Sequence, residues 1–199
     1  MTMVTKGPKL LILGRQGSGK GTQGARIARH LGVVHLSTGD ILRHAVEANT
    51  PLGHQVAGLL TSGELVPDDV VLALVGERLQ ESDVVRRGFL LDGFPRTVVQ
   101  AEGLLAALAP EGVDAAIELD LSMELATQRL AARDRIDDTP EAITRRLDLY
   151  AAQTVPVHNL FERLGLLLTV DGDGSPDEVF DRIARVLIPV LWGSGRAVG

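Results

Sequence analysis

The stretch GRQGSGKGTQ, Gly14 to Gln23, decides how the rest of the chain is read. Glycines stand at 14, 17, 19 and 21, directly after the apolar run KLLIL at 9–13. From Lys20 the pattern turns helical: Ile27, Ala28 and Leu31 share one face, and Gly32 is placed to end the helix. Strand, glycine-rich turn and helix, in that order, is the context in which such a loop binds phosphate. Glycines let the backbone curl so that successive N–H groups face an anion, and the helix N-terminus adds the positive end of its dipole. Lys20 supplies a point charge for the outer phosphates. The general phosphate-loop pattern, however, has Ser or Thr directly after the lysine. Here Gly21 stands in that place and the hydroxyl of Thr22 comes one residue late.

The composition bounds what such a loop can serve. The chain has 199 residues, 45% hydrophobic and 23% charged, the profile of one globular domain with a sizeable core. A net charge of −6 argues against a general nucleic-acid or membrane-binding surface. Lys6, Lys9 and Lys20 are the only lysines, so arginine, whose planar fork matches phosphate oxygens, dominates the basic set. There is no cysteine, which excludes disulfides and Cys-based zinc sites, and no apolar run reaches the roughly 18 residues of a membrane span. The N-terminal residues MTMVTKGPK lack a signal-peptide core, so a cytoplasmic protein is expected. No exposed heptad or apolar helix face demands a partner, and a monomer is expected.

Further strand candidates are VVHLS at 33–37, FLLD at 89–92, AAIELDL at 115–121 and LLLTVD at 166–171, with helical segments between them. This alternation predicts an α/β fold: a doubly wound, mainly parallel five-stranded sheet with helices on both faces. Two regions interrupt it. Residues 40–80 hold three helical stretches and no strand, separated by Pro51 and by SGELVP, as in a small helical lobe. ARDRIDDTP at 132–140 is short and polar, with Thr139–Pro140 suited to an N-cap and first helical position. The tail at 192–199 is expected to be loose.

The complete fit of Gly14–Thr22 to Gly-x-x-Gly-x-Gly-Lys-Gly-Thr resembles the nucleoside monophosphate kinases, the adenylate kinases above all. LSTGDILR (36–43), GELVP (63–67) and FLLDGFPRTVVQ (89–100) resemble further segments of that family, in the same order. The resemblance implies a single kinase domain over 1–199 with a nucleoside-monophosphate-binding lobe inserted at 37–66 and a short lid at 133–139. It implies an ATP site of Gly17, Ser18, Gly19, Lys20, Gly21 and Thr22, with Arg129, Arg133 and Gly174. It implies an AMP site of Thr38, Arg43, Glu64, Leu65, Val66, Gly93, Phe94, Pro95, Arg96 and Gln100, with Arg135 and Arg146 reaching phosphate. Thr38 and Gln100 face the adenine in that reading; a side-chain amide can accept from N6 and donate to a ring nitrogen. Lys20, Arg96, Arg133, Arg135 and Arg146 are the implied catalytic set, with Mg2+ near Thr22 and Asp92, directly or through water, and no zinc.

The implied activity is reversible phosphoryl transfer, ATP + AMP to two ADP, by positioning and charge neutralisation with no covalent intermediate. No general base stands out, and the AMP phosphate is already ionised at neutral pH. A UMP/CMP kinase shares this architecture, but relatives of that type tend to carry Ala in place of Thr38 and Asn near Gln100. A catalytically weak ATP-binding sensor is the reading from another class, favoured only by Arg15, Gln16 and Asp134, where the chain departs from the family pattern. Arg15 is expected to face solvent, and Arg145 to lie on a solvated helix face beside the inward Arg146. Asp134, between two arginines, either weakens them or holds an open lid in register. A GTPase would need an Asn/Thr-Lys-x-Asp guanine reader, which the chain lacks.

Overall fold

The computed structural model of the protein describes residues 7–132 and 139–193. Five strands form its sheet: β1 (Lys9–Leu13), β2 (Val34–Ser37), β3 (Phe89–Asp92), β4 (Ala115–Asp120) and β5 (Leu167–Asp171). They lie in the order β2-β3-β1-β4-β5, and every pairing is parallel, where the sequence predicted a mainly parallel sheet. Leu11 sits opposite Leu91 on one side and Ala116 on the other.

Side-chain alternation along the strands divides the core in two. Leu10, Ile12, Leu90 and Ile117 pack with Ile27 and Ala28 of α1 (Lys20–Leu31) and with Val179, Ile183 and Leu187 of α10 (Pro176–Trp192). Leu11, Leu91, Phe89 and Ala116 face the other way. They meet Val71 and Val75 of α4 (Asp68–Leu79), Leu104 of α6 (Val98–Ala107), and Val157 and Phe161 of α9 (Val155–Arg163). Strands buried on both faces explain why KLLIL and FLLD read as unbroken apolar runs rather than alternating ones.

The helical stretch expected at 40–80 is present as α2 (Thr38–Glu47), α3 (Pro51–Ser62) and α4. Pro51 marks the boundary between α2 and α3, as expected. It opens α3 behind the Thr50 cap, whose hydroxyl oxygen accepts from Gly53 N–H at 3.1 Å. A short helix, α5 (Ser82–Arg87), precedes β3 and was not legible in the sequence. After α7 (Met123–Ala131), Thr139 caps α8 (Pro140–Leu149) as its sequence predicts, accepting from Ala142 N–H. A π-helical turn, Tyr150–Thr154, joins α8 to α9. Most of the expected lid, 133–138, and the tail beyond Gly193 lie outside the described residues, while Trp192 of that tail still belongs to α10.

This topology places the site. The chain leaves β1 toward one edge of the sheet and leaves β4 toward the other, so a crevice opens at the carboxyl ends of these neighbours. The segments 14–19, 93–97 and 172–175 all emerge at that end.

Candidate active site

The loop between β1 and α1 turns on glycines. Gly17 and Gly19 have φ of 85° and 91°, the left-handed region that glycine tolerates best. At Gly17 the space matters as well, because a Cβ there would lie 2.6 Å from the Ala126 carbonyl oxygen of α7. Helices α2, α3, α6, α7, α8 and α10 open on a Ser or Thr whose hydroxyl oxygen caps a backbone N–H. Helix α1 opens on Gly19 with no side-chain cap and no acidic residue in its first turn. Its first N–H groups therefore face the crevice with the helix dipole behind them. The Lys20 Nζ folds back on the loop and donates to the Arg15 carbonyl at 2.8 Å, while Ser18 N–H donates to the same oxygen at 3.2 Å. Ser18 Oγ and Gln16 Oε1 are buried without a hydrogen-bond partner among the described residues.

A cavity of about 820 Å3 runs from this loop to α2, α3 and α8. Every described candidate residue lines it: the ATP-side set from Gly17 to Thr22 with Arg129 and Gly174, and the AMP-side set of Thr38, Arg43, Glu64–Val66, Gly93–Arg96, Gln100 and Arg146, together with Asp92. Arg133 and Arg135, with Asp134 between them, lie outside the described residues.

Opposite the loop stand three arginines. Arg43 projects from the middle of α2 and pairs with Asp40 one turn earlier. Arg96 follows β3; its Nε donates to Gly93 O at 2.8 Å. Arg146, on α8, donates from Nη2 to Leu60 O at 2.9 Å. The Arg96 guanidinium pKa is lowered, chiefly by burial; Asp92 opposes this, and Arg146 and Arg43 add to it by like-charge repulsion. Guanidinium groups gathered in a half-buried cavity repel one another, so a negative ligand there would be favoured.

Near this cluster, Thr38 is 2% exposed and its hydroxyl donates to Asp92 O at 3.2 Å, leaving the hydroxyl oxygen as an acceptor. Gln100 is equally buried. At the other end of the cavity Arg129 donates to Gly172 O at 3.1 Å. The Gly174 N–H donates to Asp173 Oδ1 at 2.8 Å, which leaves its carbonyl as the backbone group open to a ligand.

One expectation needs correction. Arg15 does not simply face solvent: its guanidinium lies over the Tyr150 ring, 5.5 Å from the centroid. Tyr150 is buried, and its phenol pKa is raised chiefly by that burial, with Glu118 adding and Arg15 opposing. Burial alone would raise the Glu118 carboxyl as well, but the hydrogen bond and charge of His158, at 2.5 Å, hold it below the ordinary value. Arg145 lies on an exposed helix face, as expected, and there it grips Glu64 through two hydrogen bonds of 2.7 and 3.1 Å and so ties α8 to the loop after α3. The sequence reading also passed over Tyr150 and Thr154 as site residues. Both line the cavity, at i+4 and i+8 from Arg146, and that helical spacing was the available signal.

The oxygen groups suit a hard cation. Thr22 and Asp92 line the same wall, and Asp92 is 7% exposed with Oδ2 3.6 Å from His35 Nε2. Among the described residues no three His, Asp or Glu groups converge on one point. Mg2+ typically shares phosphate oxygens and one or two carboxylates rather than occupying an all-protein cage.

Residues 12–166 match the family model for adenylate kinase. The chain belongs to the adenylate kinase family. Curated members of that family confirm the extent of the likeness. An adenylate kinase of Methylobacterium nodulans is 46% identical over 192 residues, covering 90% of this chain and 96% of the relative. Adenylate kinases of Xanthomonas oryzae pv. oryzae and Stenotrophomonas maltophilia are each 44% identical, covering 90% of this chain and 98% of each relative. Among the described residues no helix is long and apolar enough to cross a membrane.

Proposed function

We infer that the protein catalyses ATP + AMP to two ADP, reversibly. The observation that carries this reading is the set of Arg43, Arg96 and Arg146 facing an uncapped phosphate loop across one cavity. A phosphate loop alone serves many nucleotide hydrolases. A second basic pole, with buried Thr38 and Gln100 beside it, fits an acceptor that is itself a nucleotide.

The glycine loop and Lys20 hold the β- and γ-phosphates of ATP, and Arg129 and the segment 172–174 flank its base. Arg43, Arg96 and Arg146 hold the AMP phosphate. An ionised AMP phosphate oxygen attacks the γ-phosphorus while the bond to the β–γ bridging oxygen breaks, so no base is needed. Lys20 and the arginines act by stabilising charge spread over the transferred group. When bound, Mg2+ supplies further neutralisation of the ATP phosphates, and Thr22 and Asp92 are the residues that would hold it. Water competes as acceptor, so closure of the lobe at 37–66 and the lid at 133–139 over the substrates precedes transfer. Arg133 and Arg135 complete the phosphate-binding set in this reading.

The deciding experiment offers the protein Mg-ATP with AMP, UMP, CMP or GMP and measures ADP. AMP is expected to be preferred. Comparable rates with UMP and AMP would favour a UMP/CMP kinase, and no turnover with any acceptor would favour an ATP-binding sensor.

A further inference from the structure

Gln100 is the residue read as facing the acceptor base, and it is not free to turn. Arg96 backbone N–H donates to its Oε1 at 2.8 Å. Its Nε2 donates to Asp68 Oδ1, also at 2.8 Å, from the first residue of α4. The same carboxylate oxygen accepts from the Thr97 hydroxyl at 3.0 Å, whose own oxygen accepts from Gln100 N–H at 3.1 Å. The two ends of the amide are therefore assigned by chemistry. A backbone N–H can only donate, so it faces the amide oxygen; an ionised carboxylate can only accept, so it faces the amide nitrogen. Rotating the amide by half a turn would set oxygen against carboxylate and N–H against N–H, in a site that is 2% exposed.

One lone pair of Oε1 and one N–H of Nε2 remain for a ligand, in a fixed order. A base edge with an amino group beside an unprotonated ring nitrogen complements that order. A 6-oxo purine presents a carbonyl beside a ring N–H, the reverse. We propose that Asp68 is a specificity-determining positioning residue: by locking the Gln100 amide it selects a 6-amino over a 6-oxo purine nucleotide as acceptor. Asp68 acts through Gln100 and the Thr97 hydroxyl that caps the Gln100 N–H, and this inference rests on the reading of Gln100 at the acceptor base.

The test is Asp68→Asn, which keeps the shape but lets the residue donate as well as accept. The readout is the ratio of kcat/KM for AMP to kcat/KM for GMP, at saturating Mg-ATP. The ratio is expected to fall about tenfold, through KM for the two acceptors rather than kcat, with the KM for ATP unchanged. Asp68→Ser, which also removes the carboxylate, should lower it in the same direction and decides the matter if the Asn variant does not fold. A purely structural role would lower both acceptors together and leave the ratio in place. A ratio within twofold of the unsubstituted protein overturns the proposal while the kinase reading stands. No turnover of AMP by the unsubstituted protein overturns both.

Discussion

Replacing Arg96 by Ala separates a functional arginine from a structural one. Its guanidinium pKa is lowered in the fold, first by burial and then by Arg146 and Arg43, with only Asp92 opposing. A lowered pKa for a cation means that folding disfavours the charged form, and because guanidinium stays charged this is a standing cost of the native state. Against that relief stands the lost hydrogen bond from Nε to Gly93 O, charge-assisted and worth about 1.5–3 kcal/mol. The two effects oppose, so unfolding free energy is expected to change by less than about 2 kcal/mol. Activity is different. Loss of one donor to the transition state costs at least about a hundredfold in kcat/KM, or about 2.7 kcal/mol. Steady-state kinetics with AMP at saturating Mg-ATP and urea unfolding of the same preparation give both numbers. A kcat/KM loss below tenfold would refute the phosphate-clamp role. So would a destabilisation above about 3 kcal/mol, which would make Arg96 a fold-holding residue.

Lys20→Met is expected to lower kcat/KM at least about a hundredfold by the same donor argument, with the fall mainly in kcat; a loss under tenfold would remove Lys20 from the catalytic set. Gly17→Ala and Gly19→Ala both force an L-residue into positive φ, at about 1–2 kcal/mol each. Only Gly17 adds a clash with the Ala126 carbonyl, about 1–3 kcal/mol more, whereas a Cβ at Gly19 meets open space. Equal urea midpoints for the two variants would contradict the close approach of the loop to α7. The Asp83 carboxyl, paired twice with Arg78 at 2.8 Å, has its pKa lowered to about 2. A depressed carboxyl stabilises the fold above its unfolded pKa of about 4 and loses that contribution as pH falls through about 2. Because the pair is only partly buried and still meets solvent, the contribution is about 0.2–1 kcal/mol. The thermal midpoint of Asp83→Asn should thus lie slightly below that of the unsubstituted protein at pH 5 and converge with it near pH 2. A gap that persists there would assign the effect to something other than charge.

The strand runs KLLIL and FLLD, the loop glycines and the Thr139 cap were legible because each depends on neighbours within a few residues. A short apolar run, the φ of a turn and the hydroxyl of a cap are local properties. The same holds for the chemistry of GRQGSGKGTQ, where the backbone amides, Lys20 and the displaced Thr22 all sit within ten residues. What the sequence did not show was settled by partners far along the chain. Arg15 was assigned to solvent because nothing near it explains it, yet its partner Tyr150 arrives from the turn after α8. Arg145 does lie on a solvated face, but its partner there, Glu64, is 81 positions away.

The sequence by itself thus determined the sheet, the phosphate loop and the residue types that a two-nucleotide kinase needs. Only the tertiary structure decided that Arg43, Arg96 and Arg146 share one cavity, and that Asp68 fixes the Gln100 amide from 32 residues away. The physical reason is the same in both cases. Charge repulsion and amide orientation are set by distance and burial, and neither exists until the sheet has gathered its loops at one end.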